Sequence, residues 1–277
     1  MPRPLTTGHA AKPVTADSGA GEPARNPNAW PSYRLALLDH DLLRSPAMRG
    51  VRLQLECAKA DAALHEAGIR STIVVFGSAK VTEYGTEEHT KADHIRWYAE
   101  ARRFGRLASL MGGALNPVDG IRDNVIATGG GGGIMEAACR GAHDVGAPAI
   151  GFNIRLPHRQ KPNAYTTPDL TFQFHYFAIR KLHLAMRARA LVVFPGGFGT
   201  LDELFEILTL RQTGRLARVP IVLVDEGYWR TLINWDHLVD TGMLQPRDLR
   251  LLRFAGSAAE AWSILAATKG IAAPPQA

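Results

Sequence analysis

Residues Ala190 to Glu206, ALVVFPGGFGTLDELFE, read as a buried strand, a glycine turn and a helix that opens with carboxylates. Leu191 to Phe194 form a continuous apolar run of the kind covered on both faces in a parallel sheet. Pro195 has no N–H for a ladder and ends the strand. Gly196, Gly197 and Gly199 allow close backbone approach, and Thr200 is placed to cap a helix from about Leu201 to Gln212. The unpaired N–H groups and partial positive charge of that helix start suit a phosphate or ribose oxygen. Asp202 and Glu203 fall in the first turn, where carboxylates commonly do no more than complement the helix dipole.

A second turn of the same kind raises the weight of the first. Asn124 to Arg140, NVIATGGGGGIMEAACR, runs from a short strand through five glycines into a helix. Gly129 to Gly133 would each lose more backbone entropy on folding than alanine, so an uninterrupted run at a strand end points to a backbone that touches something. The run does not define a dinucleotide fingerprint, because no acidic residue ends a following strand about twenty positions on. Without Gly-Lys-Ser/Thr it is not a nucleoside triphosphatase loop either. A merely flexible loop is the plainer alternative.

The 277 residues suit one large α/β domain with appendages. Strands are expected at Ile73 to Ser78, Val125 to Gly129, Ala149 to Asn153, Leu191 to Phe194 and Ile221 to Val224, with a further one near Leu249 to Phe254. Helical patterns lie between them, which predicts a Rossmann-like, doubly wound parallel sheet with flanking helices and a last helix through Ala258 to Ala267. In such sheets ligands sit beyond the carboxyl ends of the strands, where both glycine turns fall. Residues 1–32, rich in Pro, Gly, Ala and Thr, read as a disordered tail. Residues 33–70 read as an N-terminal helical extension interrupted at Pro46, residues 71–268 as the nucleotide-binding domain and 269–277 as a C-terminal tail. The extension could equally serve as a dimerisation arm.

Cys57 and Cys139 have neither disulfide nor zinc-type spacing, and His175 and His183 form no metal pair, so no metal is expected. No stretch is apolar enough to span a bilayer or to act as a secretory signal, and a cytoplasmic protein is expected. The net charge of +6 invites a nucleic-acid reading, but no aromatic-basic array accompanies it. Arg180 and Lys181 instead suit a phosphorylated small molecule, the one as a fork and the other as a point charge. Arg187 and Arg189 read as the solvated face of a helix from Ala178 to Arg189.

The stretch from Pro195 to Glu203 also carries a resemblance. It is a complete Pro-Gly-Gly-x-Gly-Thr-x-x-Glu, the signature of the Lonely Guy family of phosphoribohydrolases, often mislabelled lysine decarboxylases. Arg180 and Lys181 in YFAIRK resemble the family's Arg-Lys pair, 23 residues upstream of Glu203. GGGGGIMEAACRGA from Gly129 resembles its glycine-rich loop, with Gly132 where proline is frequent, and FGSAK from Phe76 resembles its first strand end. IGFNIRLPHRQKPNAY from Ile150 and the N-terminal helices resemble a longer bacterial branch.

The resemblance implies hydrolysis of the N-glycosidic bond of a nucleoside 5′-monophosphate, of cytokinin or plain adenine type, to free base and ribose 5-phosphate. It implies Glu203 as the carboxylate at the anomeric carbon and Arg180 as its partner, which makes these the catalytic pair. Gly130, Gly131, Gly132, Gly133, Gly196, Gly197, Gly199, Thr200 and Lys181 are the implied substrate-binding residues. Glu136 is implied near the ribose hydroxyls, and Met135 and Asn153 as pocket walls. No cofactor is implied, and the partner expected is a second copy of the chain in a homodimer or higher oligomer. Paralogues cleave other purine or pyrimidine monophosphates or only bind nucleotides, so a carrier of the same fold stands as an alternative, and the overall basicity leaves a DNA-handling Rossmann protein as another.

Overall fold

The computed structural model describes residues 26–84, 92–157, 161–216, 219–268 and 271. The chain separates into two compact units, one ending at Arg49 and the other starting at Gly50. In the first, two single-turn 3-10 helices, Pro27–Ala29 and Pro31–Tyr33, occupy part of the stretch read as disordered, and Ala36–Leu38 is a third; residues 1–25 lie outside the described residues. The short helix α1 (His40–Arg44) is capped by Asp39, whose carboxylate accepts from the N–H groups of Asp41 and Leu42.

Helix α2 (Arg49–Glu66) belongs almost wholly to the second unit, so the sequence boundary at residue 70 falls inside that unit. There follow β1 (Thr72–Phe76), α3 (Ala92–Met111), β2 (Val125–Thr128), α4 (Ile134–His143), β3 (Ala149–Ile154), β4 (Thr171–Phe174), α5 (Phe177–Met186), β5 (Ala188–Val193) and α6 (Phe198–Gln212). The chain continues through β6 (Ile221–Val224), α7 (Glu226–Leu232), α8 (Trp235–Asp240), β7 (Leu252–Ala255) and α9 (Ala258–Ala266).

The sheet has seven strands in the order β4-β3-β2-β1-β5-β6-β7, and every pairing is parallel. This is the Rossmann-like, doubly wound arrangement. The inner strands β1, β2 and β6 are buried at every position, as continuous Val, Ile and Leu runs demand when helices cover both faces. Strand order reverses between β1 and β5, so a crevice opens beyond their carboxyl ends.

Four expectations need correction. Strand β4 was not foreseen: as an edge strand it buries Phe172 and Phe174 and exposes Gln173, a pattern too short to read as alternation. Helix α5 stops at Met186, so Arg189 lies in β5, and Arg187 is no solvated cation, because its Nη2 bonds Asp61 Oδ1 at 2.6 Å. Helix α6 starts at Phe198 on Gly197, so Thr200 sits inside its first turn instead of capping it. Ile271, in the stretch read as a tail, is buried, and its carbonyl accepts from Asn124 Nδ2 at 2.9 Å.

Candidate active site

A cleft of about 660 Å³ occupies the crevice between the ends of β1 and β5. Its floor is the loop after β1, Gly77 to Lys80, and its far wall is the turn from Gly196 into α6. Backbone bonds join these parts. Phe194 N–H donates to Phe76 O at 2.8 Å, Ser78 N–H to Pro195 O at 3.0 Å, and Ile134 N–H to Ser78 O at 3.1 Å. Ser78 therefore ties both glycine turns to the central strand. Gly197 and Gly199 have open space where a side chain would stand, which leaves the start of α6 accessible to a ligand.

Arg180 and Glu203 meet inside the cleft, Nη1 to Oε1 at 3.1 Å, with only 9 % and 6 % of their residue surfaces exposed. Arg180 also donates from Nε to Phe152 O at 3.0 Å, which fixes the guanidinium plane. The helix that carries it is anchored from α2: Glu56 accepts from the His175 and Tyr176 N–H groups at 2.8 and 3.2 Å, and Arg52 Nε bonds Tyr176 Oη at 3.0 Å. A side chain at Gly129 would run into Arg180 Nη2, so that glycine makes room for the pair.

Burial pushes the Glu203 carboxyl up, against the attraction of Arg180. Burial likewise pulls the Arg180 guanidinium down, but from so high a starting value that it stays protonated. The site thus holds a permanent cation beside a carboxyl whose proton is held more tightly than usual. A carboxyl whose proton affinity is raised by burial is a candidate for accepting or delivering a proton.

Of the residues singled out from sequence, Met135, Arg180, Gly196, Gly197, Gly199, Thr200 and Glu203 line the cleft together. Gly130, Gly131, Gly132 and Gly133 do not line it; their turn backs the loop after β1. Gly133 (φ +67°) abuts Ser78 and Ala79, and Gly130 (φ +70°) lies against the Asn153 amide, conformations that a side chain would strain. The turn is gripped by Asn163, whose N–H donates to Gly130 O at 2.9 Å and whose Nδ2 donates to Gly131 O at 3.0 Å. Glu136 faces away from the cleft and accepts from Tyr98 Oη at 2.9 Å. Lys181 is held by Asp202 at 3.0 Å and Glu206 at 2.8 Å, outside the lining. Asn153 is buried against Gly130 and is no cleft wall.

Sequence reasoning passed over Tyr228, Phe177, Phe198, Ser78 and Lys80, all of which line the cleft. Tyr228 Oη donates to Gly196 O at 2.8 Å and so braces the turn before α6. Its own helix is pinned by Asp225, which accepts from Tyr228 N–H at 3.2 Å, Trp97 Nε1 at 2.8 Å and Arg96 Nη2 at 2.6 Å. Asp225 adopts a left-handed backbone (φ 73°), a conformation a non-glycine residue keeps only when its surroundings hold it. Only the FGSAK stretch offered a signal for Ser78 and Lys80. Nothing in the sequence linked Tyr228 to Gly196, which lies 32 residues away. Among the described residues no group of three His, Cys, Asp or Glu is placed to hold a metal ion, and both cysteines are free.

Fold and cleft together define a doubly wound α/β protein with an open helix start and a buried Arg-Glu pair at its switch point. The family model described as possible lysine decarboxylase matches residues 135–265. Curated relatives include cytokinin riboside 5′-monophosphate phosphoribohydrolase LOG7 of Arabidopsis thaliana, 30 % identical over 146 residues, covering 50 % of this chain and 64 % of that one. LOG3 of the same plant is 30 % identical over 139 residues (48 % and 61 %), and the probable enzyme LOGL3 of Oryza sativa subsp. japonica 35 % over 83 (29 % and 39 %). The chain therefore spans less than two thirds of the length of these relatives. Over these stretches it is similar to the Lonely Guy phosphoribohydrolases. Among solved structures, that of TM1055 overlaps with a TM-score of 0.49 at 22 % identity, covering 72 % of this chain and 99 % of that one. The molybdenum cofactor binding protein of Rippkaea orientalis overlaps at 0.47 and 19 % identity (72 % and 96 %).

Proposed function

We propose that the chain hydrolyses the N-glycosidic bond of a nucleoside 5′-monophosphate, releasing a free base and ribose 5-phosphate. The observation that carries this reading is the buried Arg180–Glu203 pair, 3.1 Å apart, beneath the open start of α6. Glycosidic cleavage builds positive charge on the ribose, which a carboxylate at the anomeric carbon stabilises. In this reading Glu203 also takes a proton from the attacking water. The C1′–oxygen bond forms as the bond from C1′ to the base breaks, the bonding pair leaves with the base, and a proton completes it. Arg180 keeps Glu203 ionised and orients it. Gly197, Gly199 and Thr200 meet phosphate and ribose oxygens with the unpaired donors of the α6 start. The names of the relatives support a cytokinin-type base, an N6-modified adenine, with adenine itself as the nearest alternative.

The reading includes a homodimer, because Phe177, Leu182 and Met186 on α5 and Phe205 on α6, the two helices that carry the pair, stand exposed, and sedimentation velocity measures it. It places the reaction with the nucleotide pool of the cytoplasm; among the described residues no helix is long and apolar enough to cross a membrane. The deciding experiment is chromatography of free base after incubation with adenosine monophosphate and with isopentenyladenosine monophosphate, with Glu203→Gln as control. Base release that the substitution abolishes supports the hydrolase. Nucleotide binding without release from either substrate replaces it with a carrier.

A further inference from the structure

The two cations near the signature turn are already engaged. Arg180 is tied to Glu203 and Phe152, and Lys181 to Asp202 and Glu206. The carboxylates of the cleft, Asp202 and Glu203, thereby balance the two charges, and a phosphate arriving there would find little net positive field. Among the described residues that line the cleft, Lys80 is the one remaining cation, and no carboxylate holds it.

Its position is built. The Lys80 N–H donates to Ser78 Oγ at 3.1 Å, which closes a tight turn after β1. Ser78 itself is bonded to Pro195 on one side and Ile134 on the other, so the turn is clamped between the starts of α4 and α6. Ala79 lies against Gly132 and Gly133, where a side chain on Gly133 would collide with it. The lysine thus belongs to the loop that forms the floor of the cleft, whose lining also includes Gly197 and Gly199.

We infer that Lys80 binds the 5′-phosphate of the substrate, pairing its ammonium with the phosphate dianion that the α6 start holds from the other side, and so selects nucleotides over nucleosides. A lysine suits this task because its ammonium is a mobile point charge that needs no fixed fork geometry. The inference rests on the nucleoside monophosphate reading of the same cleft, but its test does not require turnover.

Calorimetric titration of the purified full chain with ribose 5-phosphate, and separately with adenosine, compares wild type, Lys80→Met and Lys80→Arg. Lys80→Met is expected to weaken ribose 5-phosphate binding roughly ten- to hundredfold, the worth of a charge-assisted bond, and to leave adenosine binding within about twofold. Lys80→Arg recovers most of the loss. With a nucleoside monophosphate that is turned over, KM rises by the same factor while kcat falls far less. Equal binding of ribose 5-phosphate by wild type and Lys80→Met, or equal weakening of ribose 5-phosphate and adenosine, overturns the inference. Wild type that binds ribose 5-phosphate through Lys80 but releases no base sinks the hydrolase and leaves the lysine's role standing. Wild type that releases base with no change in Lys80→Met does the reverse.

Discussion

Arg180 Nη1 lies 3.1 Å from Glu203 Oε1, and the two residues come from helices on either side of β5. Removing Arg180 leaves the Glu203 carboxyl buried without its cation, and removing Glu203 leaves Arg180 its bond to Phe152 O but not this carboxylate. Glu203→Gln keeps the shape and a hydrogen-bonding oxygen toward Arg180, so it is expected to lower kcat at least about a hundredfold while nucleotide affinity holds. Arg180→Ala is expected to lose both turnover and roughly 3 kcal/mol of stability, because a buried carboxylate is left without its cation. Single-turnover kinetics and denaturant unfolding measure the two effects.

The pH profile follows from the direction of the Glu203 shift. Burial raises its folded pKa above the ordinary 4.5 of a glutamate, and hydrolysis as proposed needs the ionised form. The acidic limb of kcat/KM is therefore expected above pH 4.5. Lys181 adds a weaker pull toward ionisation, so Lys181→Met is expected to move the limb further up. A limb at or below 4.5 in the wild type removes Glu203 as the titrating group.

Tyr228 holds the signature turn by a single hydroxyl. Tyr228→Phe deletes its bond to Gly196 O and is expected to cost about 1 kcal/mol of stability, with a several-fold higher KM for a monophosphate. Asp225→Ala removes the acceptor shared by Trp97, Arg96 and the Tyr228 N–H, and its cost is expected to be larger, about 2 kcal/mol. Thermal melts and steady-state kinetics on the two variants separate bracing of the turn from bulk stability.

His183 gives the fold its own pH dependence. It is buried between Phe152 and Phe174, with Nε2 3.2 Å from Cys57 O, and burial lowers its pKa from 6.5. Below pH 6.5 the unfolded chain takes up a proton that the folded state refuses, so stability falls as pH falls from 6.5 toward the folded value. Melting temperatures between pH 7.5 and 5.5 are expected to decline, and His183→Gln, which keeps a donor toward Cys57, is expected to flatten that decline. A wild-type curve already flat over this range counts against the assignment.

The turns were legible in the sequence because their causes are local. A continuous apolar run from Leu191 to Phe194, ended by Pro195 and followed by Gly196 and Gly197, leaves the backbone few other conformations. The same logic located β1, β2 and β6. Edge strand β4 escaped because its partner β3 and the residues that bury Phe172 are supplied by the fold. Glu136, like Glu203, is a carboxylate early in a helix after glycines. One turns inward to Arg180 and the other outward to Tyr98, and that choice depends on which neighbouring element supplies a partner.

By itself, then, the sequence determined the alternation of strand and helix, the two glycine turns, and the residue types able to carry glycosidic chemistry, because these follow from short-range sterics and periodicity. Only the tertiary structure decided which of those residues share one cleft. Reversal of strand order between β1 and β5 brings Lys80, Arg180 and Glu203 to the same crevice, sets Tyr228 under Gly196, and withdraws Glu136 and Lys181 into pairs of their own. Contacts between residues far apart in the chain depend on how strands stack, and no local pattern encodes that.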